Sequence, residues 1–108
     1  MRKSSTRSED LKIDLHGAFI RRTDLSGASL RDANLTGTDA ANALFRDADF
    51  AGARLDGTVL KGADLTGAKN LFIEQLSRAV IDTNTLLPDY IDRQKLENLL
   101  ATSSLHAS

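Results

Sequence analysis

The most constraining feature of this sequence is a five-residue period that runs from Ile13 to Gly67. All seven glycines, at positions 17, 27, 37, 52, 57, 62 and 67, fall in one class modulo five. Two residues before that class, every one of eleven consecutive positions is apolar: Leu15, Ile20, Leu25, Leu30, Leu35, Ala40, Phe45, Phe50, Leu55, Leu60 and Leu65. Two residues earlier again, ten of eleven positions are Ala or Thr. The chain therefore repeats a small residue, a large apolar residue and a turn residue.

A period of five matches neither the 3.6 residues of a helical turn nor the two of a strand, so each unit must contain a bend. The small and the large residue, two apart, point to the same side of a short extended segment. Glycine supplies the turn because it reaches positive φ without a Cβ penalty. Where glycine is missing, Asp32, Asn42 and Asp47 occupy the turn position, and these residue types tolerate left-handed geometry. Arg22 is the exception, and the sequence predicts a different turn there.

Three units resemble the A-(D/N)-L-x-x signature of the pentapeptide repeat family: Thr-Asp-Leu-Ser-Gly at 23–27, Ala-Asn-Leu-Thr-Gly at 33–37 and Ala-Asp-Leu-Thr-Gly at 63–67. Eleven consecutive units cover 55 of the 108 residues. The resemblance implies a β fold, a right-handed, four-sided (quadrilateral) β-helix solenoid with four units per coil. Eleven units then make about three coils.

Four units per coil would stack residues that are 20 apart. In that register Ala40, the only small central residue, shares a coil with Phe45 and Phe50, the only large ones. Close packing requires the volume lost at one position to be returned nearby. The three residues together therefore favour this register.

The ends of a short solenoid must be capped. The sequence predicts a flexible tail and lead-in at 1–12, the β-helix at 13–70, a cap of one or two α-helices at 71–102 and a frayed tail at 103–108. The first cap helix is expected over 72–80, and the second is expected to hold Pro88 in its first turn, with Asp89 and Asp92 near its positive end. A leucine stripe on the second helix is interpreted either as packing on the domain or as a dimer contact; it consists of Leu96, Leu99 and Leu100.

The composition argues against catalysis and against several classes of ligand. The 14 basic and 15 acidic residues give a net charge of −1, which predicts no direct nucleic-acid binding. No cysteine is present, and no apolar run approaches the roughly 20 residues of a membrane span. His16 and His106 form no metal-binding spacing, and the glycines form no phosphate loop. We therefore expect no enzyme activity, no catalytic or metal site and no cofactor.

One row of carboxylates looks like an acidic array, and it consists of Asp14, Asp24, Asp39, Asp49 and Asp64. The family resemblance assigns this position to an outward-leaning or turn-bonding residue. The same position is apolar at Phe19, Leu44 and Val59, and the cations Arg21, Arg22 and Lys61 fringe that side. An apolar patch with a charged rim is typical of a protein contact. The alternative is that the N-terminal tail or the second C-terminal helix covers the patch.

The sequence thus indicates a non-enzymatic, bacterial-type binding or scaffold module, soluble and cytoplasmic, whose partner is another protein. A homodimer through the C-terminal helices or a coil end is also considered, and no membrane contact is expected. The alternative function is a DNA mimic that binds DNA gyrase or another topoisomerase. Mimicry needs a dense negative stripe, whereas residues 13–67 carry eight Asp against five Arg and one Lys.

Overall fold

Short extended segments stack in parallel in the computed structural model, which describes residues 12–107. Asp14 pairs with Asn34, and Asn34 pairs with Arg54, in isolated parallel bridges. The spacing of 20 residues recurs in eight of the ten bridges. A turn follows every repeat-unit bridge, so each extended segment contributes a single bridge residue and no longer strand forms within 12–107. This is the stacking that four units per coil predicts.

We number the coils and their sides for the description that follows. Coil 1 comprises residues 13–32, coil 2 comprises residues 33–52, and coil 3 begins at residue 53. Within coil 1, sides 1 to 4 are the units that begin at residues 13, 18, 23 and 28. Two bridge columns continue beyond the regular repeat, because Val80 pairs with Val59 on side 2 and Leu86 pairs with Asp64 on side 3.

The central apolar residue of each unit points into the coil. From Leu30 to Leu65 these side chains are at most 2% exposed. The rings of Phe45 and Phe50 lie 5.4 Å apart at 58°, and Ala40 has no exposed surface. Leu15, Ile20 and Leu25 are only half-buried, so the core is less complete in coil 1.

Buried threonines in the small-residue column tie successive coils together. The Oγ1 of Thr58 donates a hydrogen bond of 2.6 Å to the carbonyl of Leu35 one coil earlier. Thr38 and Thr85 make the equivalent bonds to Leu15 and Leu60. Each hydroxyl is thus satisfied in a core that excludes water, as buried polar groups require.

All the turns share one backbone conformation. The seven glycines have φ between 67° and 75°, and Asp32, Asn42 and Asp47 have φ of 60–62°. Arg22 has φ of 60°, so the prediction of a different turn there is wrong. Its N–H donates to the carbonyl of Ala41 in the next coil, at 3.0 Å, as the other three turn residues of coil 1 do. The stacking of the coils therefore imposes the left-handed turn even on an unfavourable residue type.

Two helices follow the repeats: α1 at Ile73–Ser77 and α2 at Arg93–Ala107. The prediction of a helix over 72–80 was too long, because the chain leaves α1 in time for Val80 to pair with coil 3. The second helix starts later than predicted, at Arg93, so Pro88 and Asp89 precede it. The carboxylate of Asp92 caps its first turn by accepting hydrogen bonds from two backbone amides. Helix α2 also continues past residue 102, the boundary predicted for the helical cap.

The C-terminal segment satisfies the last coil on all four sides. In the regular repeat the carbonyl of the small residue accepts a hydrogen bond from the next coil. In coil 3 these acceptors receive replacement donors: Ala53 O from Gln75 Nε2 at 2.9 Å, Thr58 O from Val80 N at 2.8 Å, Ala63 O from Leu86 N at 2.9 Å, and Ala68 O from the Tyr90 hydroxyl. The segment therefore acts as an irregular fourth coil that closes the edge.

The leucine stripe of α2 faces the domain rather than solvent. Leu96 has no exposed surface and belongs to the core, and Leu100 packs against the same core. Leu96 is therefore not available as a dimer contact, because it is buried in the core of the domain, whereas for the half-buried Leu100 that interpretation stays a prediction. Leu99 is 38% exposed. Over the described ranges, neither helix is long and apolar enough to cross a bilayer.

Replacing Ala40 with Leu should lower the free energy of unfolding by about 1–3 kcal/mol, because the coil has no room for extra methylenes. Urea titration measures the change, and Ala41→Leu at the adjacent half-buried turn residue is the control. An unchanged or raised stability of Ala40→Leu would contradict the packing described here.

Replacing Arg22 with Gly should raise the free energy of unfolding by about 1 kcal/mol, because glycine adopts the left-handed turn without strain. Thermal denaturation measures the effect. Arg21→Gly is the matched control and should destabilise, because that residue is outside the left-handed region and pairs with Asp39. A destabilised Arg22→Gly variant would show that the turn stores no strain.

Candidate protein-binding surface

The carboxylate array predicted from the sequence bonds the turns of the solenoid. In each case Oδ1 accepts a hydrogen bond from the backbone amide two residues later, an arrangement typical of Asx turns. The pairs are Asp14 with His16, Asp24 with Ser26, Asp39 with Ala41, Asp49 with Ala51, and Asp64 with Thr66. Asn34 makes the same bond to Thr36. The array therefore has a structural role.

Three of these carboxylates also pair with an arginine of the preceding coil. The partner lies 18 residues earlier in the chain and reaches Oδ2. The pairs are Arg21 with Asp39 at 2.8 Å, Arg31 with Asp49 at 3.1 Å, and Arg46 with Asp64 at 3.7 Å. Because the arginine side chains are more than half exposed, each pair contributes at most about 1 kcal/mol. Their main effect is to interleave positive charge with the acidic row.

Hydrogen bonding to the ionised form lowers the pKa of several of these groups. The side-chain amide of Asn70 and the backbone amide of Ala51 bring the pKa of Asp49 to about 2. The Ser26 hydroxyl and amide lower the pKa of Asp24. Partial burial raises the pKa of Asp64 and of Asp82, but the hydrogen bonds that each accepts outweigh burial, so both values end below the usual range.

Apolar residues replace the turn-bonding residue at Phe19, Leu44 and Val59, as the sequence indicated. Phe19 is 85% exposed, Leu44 is 38% exposed, and Val59 is half-buried. The fourth coil adds Val80 and Leu86, which are 40% and 52% exposed in the same two columns. We call these five residues the apolar wall: Phe19, Val59 and Val80 on side 2, and Leu44 and Leu86 on side 3. Sequence reasoning missed Val80 and Leu86 because they follow the end of the five-residue period.

The cations predicted to fringe the wall lie at the corner between its two sides. Arg21 and Arg22 form the turn between sides 2 and 3 in coil 1, and Lys61 occupies the same turn in coil 3. All three are exposed, and we call them the basic corner. Helix α2 packs on the core at the C-terminal end and leaves the wall uncovered, so the expectation that it covers the patch is wrong. Cover by the N-terminal tail concerns residues 1–11, which lie outside the described residues.

Three clefts formed by the described residues lie around the cap. One of about 300 Å³ lies between coil 3 and α1 and is lined by Arg54, Asp56, Gln75 and Arg78, among others. Its lining contains no serine, histidine or cysteine that could act as a nucleophile or a neutral base. Within residues 12–107 no group of three or more histidines or carboxylates is placed to hold a metal ion.

Stability should fall in acid, because the folded-state pKa of Asp49 is depressed. The carboxylate stabilises the fold fully above its usual value of 3.8 and loses that contribution as the pH falls towards 2. Urea titrations at a series of pH values should therefore show a decline over this window. Asp49→Asn should reduce the decline, whereas Ser29→Ala in the same column should not. A decline of the same size in Asp49→Asn would contradict this assignment.

Comparison with known proteins identifies the repeat. A family model described as pentapeptide repeats matches residues 12–47 and 43–69, in eight copies. No curated protein matches the chain. Among solved structures, the pentapeptide repeat protein Rfr23 from the cyanobacterium Cyanothece 51142 is 30% identical with a TM-score of 0.61. The match covers 71% of this chain and 52% of Rfr23, so the chain spans about half the length of that protein.

Two further pentapeptide repeat proteins are similar at lower levels. The protein alr5209 from Nostoc Pcc 7120 is 23% identical with a TM-score of 0.35, over 79% of this chain and 82% of its own. AT2G44920 from the Arabidopsis thaliana thylakoid lumen is 21% identical with a TM-score of 0.29, over 79% and 70%. The family model covers more than half of the chain, and its repeats form right-handed quadrilateral β-helices. This chain therefore belongs to the pentapeptide repeat family.

Proposed function

We propose that this protein is a non-enzymatic protein-binding module, and that the apolar wall and the basic corner form its contact surface. The observation that carries the proposal is the 85% exposure of Phe19 at a position where the repeat otherwise favours a turn-bonding residue. An aromatic side chain left in solvent is a frequent anchor of protein interfaces.

The side chains of the wall residues within the repeat do not stabilise the turns that follow them. Asp and Asn at the equivalent position each accept a hydrogen bond from the following turn, and Phe19, Leu44 and Val59 have no such acceptor. A hydrogen bond of this kind contributes about 1 kcal/mol. The three units therefore forgo stabilisation that six other units obtain. Binding gives these side chains a role that folding does not.

The shape of the surface defines the partner that it fits. The two columns lie on adjacent sides of the coil and meet at the basic corner. Coils are about 4.8 Å apart, and apolar side chains alternate with carboxylates in each column, because Asp39 lies between Phe19 and Val59 and Asp64 lies between Leu44 and Leu86. Arg22 and Lys61 offer donors between the columns. The partner is expected to present apolar side chains beside a carboxylate.

The alternative, a DNA mimic directed at a topoisomerase, is less well supported by the charge distribution. Arginines of the preceding coil pair with Asp39, Asp49 and Asp64, so the acidic row is interleaved with positive charge. A gyrase supercoiling assay separates the two functions. Inhibition of gyrase, or its protection from inhibitors, at micromolar protein would favour mimicry over the proposal.

Replacing Phe19 and Val59 with Asn should abolish binding without loss of stability. Asn is compatible with the turn, as Asn34 shows, and it adds no charge to the Asp39 column. Each new turn bond should raise the free energy of unfolding by at most about 1 kcal/mol. Affinity capture from the source cell with quantitative mass spectrometry compares the partners retained by the wild type and by the double variant.

Ser29→Asn is the matched control, because it lies in the same coil at the equivalent position of side 4, away from the wall. Partners that bind through the wall should be lost from the double variant and retained by the control. Identical capture by all three proteins would refute the proposed surface, and unfolding of the double variant would show that the wall serves the fold.

A further inference from the structure

The two ends of the solenoid are finished differently. At the C-terminal end every side of coil 3 receives a replacement donor from the cap. At the N-terminal end Leu15, Ile20 and Leu25 are half-buried, whereas the residues stacked on them in coil 2 are at most 1% exposed. Leu30 on side 4 is already buried at 1%. Three sides of coil 1 therefore leave part of the core uncovered.

Within the described residues the backbone edge of coil 1 is open as well, and it is open on all four sides. In coil 2 the residue before the central one directs both of its backbone groups at the preceding coil. The N–H of Asn34 donates to Ile13 O, and its carbonyl accepts from Leu15 N, each at 2.8 Å. The equivalent residues of coil 1 find no partner for either group within residues 12–107. They are Asp14, Phe19, Asp24 and Ser29.

A residue that presents its N–H and its C=O to the same side can pair with a parallel neighbour, as Asn34 does, or with an antiparallel one. Two opposed residues of a hydrogen-bonded antiparallel pair exchange both bonds. A straight peptide strand could follow only one side, because the chain turns at every corner. Another coil 1, approaching end to end, follows all the open sides at once. At the C-terminal end, by contrast, the equivalent carbonyls of coil 3 already have donors from the cap.

We propose that two copies of this chain dock through their N-terminal coil ends, related by a twofold axis perpendicular to the solenoid. This goes beyond the proposed binding function and stands on a different observation, the open edge of coil 1. The contact is isologous, because each copy offers the same end. The coils run antiparallel across the junction, and the half-buried leucines of each copy cover those of the other.

Charge and area are compatible with such a pair. Coil 1 contains three aspartates and three arginines, so two identical ends do not confront a net charge. If the twofold axis passes through opposite corners of coil 1, Asp14 and Asp24 of one copy face Phe19 or Ser29 of the other copy. If the axis passed through opposite sides of the coil, aspartates of the two copies would face each other. The short extents of 27 and 24 Å limit the end to about 500 Å² per copy, or about 1,000 Å² per pair. This is the lower limit of stable interfaces, so the dimer should be weak and dependent on concentration.

Analytical ultracentrifugation of the full chain from about 1 μM to about 1 mM tests the association. The mass should rise from 11.7 kDa towards twice that value. The absence of cysteine allows single spin labels at Ser29→Cys in coil 1 and at Thr83→Cys in the cap. With coils about 4.8 Å apart, the dimer should give distances below about 30 Å for the first label and above about 35 Å for the second.

Substitution at Asp24 tests the backbone edge. Asp24→Ala keeps the amide and should dimerise like the wild type, whereas Asp24→Pro removes it and should weaken association at least tenfold. Asp64→Pro, two coils further in the same column, is the matched control. It loses the same turn bond but also breaks the ladder bond to Ala43, so its melting temperature should fall further.

Three results would overturn the proposal. The chain could remain at 11.7 kDa at every concentration. Asp24→Pro could lower the melting temperature as much as Asp64→Pro without changing the mass, which would mean that residues 1–11 cover the end. The Thr83 labels could lie closer together than the Ser29 labels, which would place the contact at the C-terminal helices.

Discussion

The structure depends on a ladder of backbone hydrogen bonds between residues about 20 apart in the chain. Each unit of coil 2 donates to, and accepts from, the coils on either side, and the five-residue period keeps these groups in register. The left-handed turn follows from this requirement, since without it the next unit could not lie over the previous one. Arg22 adopts it despite its residue type. Side-chain packing inside the coil then fills a space whose dimensions the ladder has already set.

The position before the central residue serves two purposes in this protein. Where it is Asp or Asn, the side chain bonds the following turn, and in three cases it also pairs with an arginine one coil earlier. Where it is Phe19, Leu44 or Val59, the side chain accepts no hydrogen bond from the turn amide and stays wholly or partly exposed. A repeat fold separates these two purposes, because the outward-pointing residue can change without disturbing the inward-pointing residue that follows it in the same unit. Departures from the repeat are therefore more informative about binding than the repeat itself.

A ladder has two ends, and the chain treats them differently. The C-terminal segment supplies a side-chain amide, two backbone amides and a hydroxyl to the last coil, one for each side. Coil 1 keeps backbone groups and half-buried leucines that have no partner within the described residues. An open edge of this kind is a common route to association in β proteins. The apolar wall and the coil end are separate surfaces, although Phe19 belongs to both.

Periodicity alone was enough to predict the units and their inward residues, because a regular solenoid is built from local repeats that contact only their neighbours. The wall residues within the repeat and the basic corner could be assigned for the same reason. The stacking of four units per coil was implied by the resemblance to the pentapeptide repeat family. The cap could not be predicted in detail. Phe72 and Val80 bear the pattern of one helix, yet the unsatisfied carbonyls of coil 3 draw Val80 into the ladder, so α1 ends at Ser77. The burial of Leu96 and the exposure of Val80 and Leu86 were decided by tertiary structure, since Val80 and Leu86 pair with the last coil and Leu96 packs against the core that this coil encloses.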